Sequence, residues 1–237
     1  MIRIHMASFP PRRAILAQAL ASLAGQADRI VLCLNGYEAV PPEIAAMEGV
    51  EAVIPPRDLK DAGKFMARPA PDDVVLTCDD DILYPPDYVA RALELAELET
   101  GPCGFQAHSW VWKSQEARMG WRNFMYWKRR PKALRVHMLG TGTAAMLGRD
   151  APSLDAMEGA AGFVDTRLAR LMAGAGRPMT TLPREDGWIA RNMPGGLKGT
   201  SLYETVARHM PPPLKAETIG LLVALGAARV EPRIRDE

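Results

Sequence analysis

Val74-Val75-Leu76-Thr77-Cys78-Asp79-Asp80-Asp81 decides how this chain folds. An uncharged, largely apolar run leads without a break into three adjacent carboxylates. Such a run, bounded by turn signals, reads as a strand buried on both faces. Towards the N-terminus, Arg29-Ile30-Val31-Leu32-Cys33-Leu34 has the same character and ends in the turn pair Asn35-Gly36. Residues 2–8 form another strand, and a short one at 50–54 ends in Pro55-Pro56. Helical spacing lies between the strands. Ile15, Leu16, Ala19, Leu20 and Leu23 follow Pro10-Pro11, and Gly25 supplies a stop. A helical segment begins near Asp58, and Pro85-Pro86 precedes a helix through Glu99 with Val89, Leu93 and Ala96 on one face. Buried strands separated by helices need crossover connections. The expectation is an α/β fold with a mostly parallel central sheet flanked by helices.

Composition narrows the function. The 237 residues are 48% hydrophobic and 24% charged, with a net charge of +1, which argues against a disordered chain and a general nucleic-acid binder. The longest near-continuous apolar stretch, Ile219 to Ala228, is about half of the roughly 20 residues that a bilayer span needs. The chain enters a strand pattern at Met1, which leaves no room for a signal peptide. Cys33, Cys78 and Cys103 each sit in or at the start of an apolar segment, with spacings that match no zinc pattern, so they read as reduced core residues of a cytoplasmic protein. No phosphate-binding P-loop and no dinucleotide fingerprint occurs.

In sheets of this kind the working site lies at the carboxyl ends of the strands, where the acidic triplet stands. Asp79 and Asp81 share a side if the strand direction continues, giving two hard oxygen ligands for Mg²⁺ or Mn²⁺. The competing reading is a solvated loop of helix-capping aspartates. Arg12 and Arg13 fall in the first turn of a helix, where a cation opposes the helix dipole, which favours a ligand role.

The stretch from Val74 to Tyr88, with its Asp79-Asp80-Asp81, resembles the DXD segment of GT-A fold glycosyltransferases, nearest to glycosyltransferase family 2. The opening is similar too: a strand, Phe9-Pro10-Pro11-Arg12, a helix carrying Leu20-Ala21-Ser22-Leu23 and Gln26, then a second strand. The likeness spans roughly residues 2–190. It implies an inverting transferase (hexosyl or N-acetylhexosaminyl) in bacterial polysaccharide or glycoconjugate synthesis. The implied donor is a UDP- or GDP-sugar and the implied acceptor a saccharide or lipid-linked hydroxyl. Pro10, Arg12, Asn35, Asp61, Lys64, Asp79 and Asp80 would hold the nucleotide sugar. Asp79 and Asp81, with His209 late in the chain, would hold Mn²⁺ or Mg²⁺. The family's general base corresponds to Asp165, eleven residues before Gly176, although Val164 stands where the family usually has glutamate. Gly140, Thr141 and Gly142 correspond to the loop beneath the acceptor, and Trp121, Arg184 and Trp188 are expected on the acceptor side.

Plainer readings stand beside these. Asp165 can be a helix cap, Lys64 and His209 solvated surface residues, and the 140–142 loop a tight turn. Residues 109–135 read as an insertion: 110–135 holds eight cations against one acid, a net +7, and four of the five tryptophans. It suits an acceptor or an anionic membrane surface, or packs its tryptophans on the sheet; single-stranded nucleic acid is the weakest fit. The expected organisation is one catalytic domain over 1–210, then a C-terminal helix and charged tail over 211–237, with an amphipathic helix at 214–229. The rival functions are a sugar-1-phosphate transferase and a silent sugar-nucleotide binder.

Overall fold

The computed structural model describes residues 1–113 and 118–226. Its first half holds β1 (Ile2–Ser8), α1 (Arg13–Leu23), β2 (Arg29–Leu34), α2 (Pro42–Ala45), β3 (Val50–Val53), β4 (Val74–Asp79), β5 (Ile82–Leu83) and α3 (Tyr88–Leu95). There follow β6 (Cys103–Gly104), β7 (Ala107–Lys113), β8 (Arg118–Phe124), β9 (Leu134–Val136), β10 (Met138–Leu139) and β11 (Thr143–Leu147). The last elements are α4 (Val164–Gly174), β12 (Met179–Thr181), β13 (Ala190–Arg191), α5 (Leu202–Thr205) and α6 (Pro212–Ala224).

Eight strands form the central sheet in the order β3-β2-β1-β4-β11-β6-β12-β9. β1 lies between β2 and β4 and is parallel to both, with β3 parallel beyond β2. β11 then runs antiparallel to β4, with Thr143 opposite Cys78, and β9 runs antiparallel to β12. The sheet is therefore mixed, which corrects the expectation of a mostly parallel one in its second half. Thr143–Leu147 is buried throughout and has no alternation to set it apart from a parallel strand. The reversal matters for the site, because it sets the loop entering β11 beside the acidic end of β4.

Two apolar layers cover the sheet, and the period of two along each strand assigns side chains to them. On one side Met6, Leu76, Cys78 and Ala145 pack with Leu16, Leu20 and Leu23 of α1 and Tyr88 of α3. Each such leucine contributes about 1.5–3 kcal/mol by leaving water. On the other side Val75, Ala144 and Met146 pack with Val164, Leu168 and Met172 of α4 and Leu221 of α6. Cys33, Cys78 and Cys103 are free and buried, and burial pushes each thiol up to about 12.

Local differences from the sequence reading have local causes. The segment near Asp58 becomes a 3-10 helix, Lys60–Phe65, entered through Lys60 at φ 48°. The helix before Glu99 stops at Leu95. Within 109–135, β7 and β8 form a hairpin that adds β10 to make a second sheet, while β9 joins the central one. The final helix runs over Pro212–Ala224 and is not cleanly amphipathic, because Ile219 and Val223 face out while Glu217 is buried on Arg167 and Arg170. Residues 227–237, including the expected tail, lie outside the described residues. No helix among the described residues is long and apolar enough to cross a membrane.

Candidate active site

The three carboxylates at the end of β4 part company. Asp80 turns inward, where it accepts from Ser8 Oγ at 2.5 Å and from an Arg12 guanidinium nitrogen at 2.6 Å. Arg12 also donates to the Thr200 side chain and carbonyl at 3.0 and 3.1 Å. Burial alone would lower the Arg12 pKa, but Asp80 and then Asp81 outweigh it and raise it. The cation that the helix dipole disfavours is thus held by the triplet. Asp79 and Asp81 instead both line a cleft of about 930 Å³. Burial, then the like charges of Asp79 and Asp80, push the Asp81 carboxyl up to about 7. Tyr84, which the sequence reading passed over, fastens this loop: its hydroxyl accepts from Asp79 N and donates to the Gly142 carbonyl, each at 2.7 Å.

Lys64 occupies the centre. It sits on the 3-10 helix that crosses the end of β1, and its side chain is 3% exposed. His5 Nδ1 donates to the Lys64 carbonyl at 2.9 Å; burial holds the imidazole down to about 4, so it is neutral. The Lys64 ammonium pairs with Asp79 Oδ1 and reaches the Thr141 carbonyl and hydroxyl oxygens, both at 3.2 Å. Burial works against this charge, but Asp79, followed by Asp165 and Asp61, raises its pKa. The surface-lysine reading does not hold.

Thr141 carries the network on, donating to Asp165 Oδ1 through N at 2.8 Å and through Oγ1 at 2.7 Å. Asp165 therefore reaches out of α4 to the 140–142 loop. The start of that helix is served instead by Asp61, which accepts from Gly162 N at 2.5 Å and Val164 N at 3.5 Å and which burial pushes up to about 6. Among the described residues no hydrogen bond engages Asp165 Oδ2, and Asp165 lines the cleft. Asn35 serves the same assembly from beneath, accepting from Leu59 N at 2.8 Å and donating to the Lys60 carbonyl at 2.9 Å.

Gly142 makes the junction of β4 and β11 tight. A methyl group there would overlap the Asp79 carboxylate and stand 2.8 Å from its carbon. Gly142→Ala is expected to cost about 1–3 kcal/mol of stability by overpacking. It should also displace Asp79 from Lys64, and thermal melting reads the loss.

The far wall is the β7–β8 hairpin with Tyr126 and Trp127, and Trp121 faces the cleft, 44% exposed. Several expected residues lie elsewhere. Arg184 is 1% exposed, and its guanidinium donates to the carbonyls of Met125 (2.7 Å), Leu182 (2.9 Å) and Tyr126 (3.1 Å) and to Thr181 Oγ1 (3.3 Å). Burial and Arg130 bring its pKa down to about 10. It staples the Met125–Tyr126 backbone to the sheet, so its expected place on the acceptor side is corrected. Trp188 is corrected likewise: it packs on Phe105 at 5.0 Å and donates to Asp87 at 3.0 Å. Pro10 and His209 are exposed and do not line the cleft.

A divalent cation fits here only in part. Among the described residues no three His, Cys, Asp or Glu side chains surround a common point, and Asp79 Oδ1 already holds Lys64. Asp81 is the under-neutralised carboxylate, with Arg12 at 3.5 Å as its ion-pair partner. The donor set matches an ion held by one or two carboxylates and completed by substrate phosphates, the usual manner of Mg²⁺. Compared with models of known families and with curated proteins, the chain matches none.

Proposed function

We propose that this protein is a metal-dependent, inverting glycosyltransferase of the GT-A type, moving a sugar from a nucleoside diphosphate to an acceptor hydroxyl. One observation carries the reading: Asp81, Asp79 and Asp165 open into one cleft, and Lys64 and Thr141 tie Asp79 to Asp165. A donor diphosphate and an acceptor proton need opposite kinds of group, a cationic or metal-binding end and a basic carboxylate end. The cleft offers both. Bound at Asp81, a divalent cation would neutralise charge developing on the departing diphosphate. Asp165 Oδ2 takes the proton from the acceptor hydroxyl as that oxygen attacks the anomeric carbon. Thr141 fixes Oδ1, so the carboxylate plane is set before substrate arrives. Lys64 keeps Asp79 and the 140–142 loop in register. Asp80, buried on Ser8 and Arg12, supports the donor side from beneath.

Incubation with a panel of UDP- and GDP-sugars tests this. Release of UDP or GDP with transfer supports the reading. Release of UMP or GMP identifies a sugar-1-phosphate transferase instead, and binding without turnover identifies a silent binder. The metal requirement is tested at Asp81. Asp81→Ala should abolish tight UDP or GDP binding in Mn²⁺ or Mg²⁺ yet leave the fold intact, because this rim side chain packs little core. Equal nucleotide affinity in both proteins, unaffected by EDTA, would refute it.

A further inference from the structure

The hairpin that closes the cleft has two chemically different faces, and its register shows which one meets a ligand. His108 pairs with Asn123 and Trp110 with Trp121 across β7 and β8. Alternation puts these four on one face, and all four line the cleft. The opposite face holds Ala107 and Phe124, buried against the core, with Arg122 and Arg130 laid over the Phe124 ring at 5.1 and 5.0 Å. The six cations of 110–135 whose side chains are described (Arg122, Lys128, Arg129, Arg130, Lys132 and Arg135) all lie outside the cleft lining. These six cations therefore lie off the hairpin's ligand side, and the cations that do line the cleft, Arg12, Lys64, Arg191 and Lys198, come from other elements.

These four inner-face residues include no Lys, Arg, Asp or Glu and are rich in planes and hydrogen-bonding groups. Trp121 is fixed by His108 stacked at 5.1 Å and by Trp110 edge-on at 4.6 Å, yet stays 44% exposed. His108 Nδ1 donates to Asn123 Oδ1 at 2.9 Å, which leaves the Asn123 amide NH₂ as a donor. Beside it, Gln106 Oε1 is buried and has no hydrogen-bond partner among the described residues, an acceptor that asks for a donor from a ligand. Gln106 also places this face next to the base: its carbonyl accepts from Gly140 N at 2.9 Å, one residue before the Thr141 that grips Asp165.

We propose that this face is a platform for a neutral saccharide ring, which makes the acceptor an uncharged glycan and not a phosphorylated or membrane-surface ligand. A pyranose has a C–H face that lies on an indole, and its rim hydroxyls both donate and accept, matching Asn123 and Gln106. This inference rests on the glycosyltransferase reading for the word acceptor, but the platform is tested without donor or metal.

The test is saturation-transfer NMR and calorimetry on the full chain with cellobiose, maltose, chitobiose and lactose. A glucuronic-acid disaccharide, phosphatidylglycerol vesicles and UDP form the comparison arms. At least one neutral disaccharide should bind. Trp121→Ala should weaken it tenfold or more, while Lys128→Gln with Lys132→Gln changes nothing and Asp81→Ala keeps saccharide binding as it loses UDP. Failure of every neutral disaccharide, indifference to Trp121→Ala, or a preference for the anionic probes that disappears in the lysine variants overturns the platform. Trp121-dependent saccharide binding in a protein that neither binds UDP nor transfers sugar would keep the platform and remove the glycosyltransferase reading.

Discussion

Asp165→Asn is expected to lower turnover by about 10²–10⁴-fold with nucleotide binding unchanged. The substitution isolates one atom. Asparagine keeps Oδ1, so Thr141 N and Oγ1 retain their acceptor and the 140–142 loop keeps its place. At Oδ2 the amide presents two hydrogens and cannot take the acceptor proton. The helix-cap reading predicts no change, since asparagine caps about as well as aspartate. The structure weakens that reading, because Asp61 accepts from the backbone at the start of α4 and Asp165 does not. Steady-state rates with saturating donor decide the matter, and turnover within a few-fold of the parent would retire the base assignment. Calorimetry with UDP on the same variant shows whether the donor side is intact.

Lys64→Met is expected to lower stability by about 3 kcal/mol. Methionine keeps the apolar stem and removes the ammonium, leaving Asp79 without its partner and the Thr141 oxygens without their donor. Stranding one member of a fully buried pair costs about 3–5 kcal/mol. Asp79 is 37% exposed and recovers some hydration, which puts the loss at the lower end. Adding Asp79→Asn to Lys64→Met removes the stranded charge and should recover more than half of the loss, an interaction that a double-mutant cycle in urea measures. A single variant as stable as the parent would show that Lys64 does not hold this junction. Turnover should fall as well, because Lys64 joins the Asp79 end of the cleft to the loop that orients Asp165.

The parallel half of the fold was legible in the sequence because its cues are local. Continuous apolar runs, proline pairs and the stop at Gly25 act within a few residues, and β1, β2, α1 and β4 fall where those cues put them. The acidic triplet was legible for the same reason: carboxylates at the end of a buried strand are a local pattern. Their division of labour was not. Ser8 and Arg12 draw Asp80 inward from about seventy residues away, and no spacing rule distinguishes the middle aspartate from its neighbours.

Cations were the hardest residues to place. Lys64 looks like a solvated helical lysine, and Arg184 like a loop arginine free to reach a substrate. Both are buried, one on a carboxylate and the other on backbone carbonyls, because groups far along the chain supply what water would have supplied. Side-chain type states a need for a partner and says nothing about where it comes from.

The sequence by itself determined an α/β chain, the order of its first strands and helices, three apolar-segment cysteines and an acidic strand end. These follow from hydrophobic periodicity and turn chemistry, which act over a few residues. Only the tertiary structure decided that β11 runs against β4, that its entry loop locks onto Asp79 through Lys64 and Tyr84, and that the β7–β8 hairpin turns His108, Trp110, Trp121 and Asn123 to the cleft. Those outcomes depend on strand direction, register and burial. They are set by contacts between residues tens of positions apart, which compete on energy only after the chain has closed on itself.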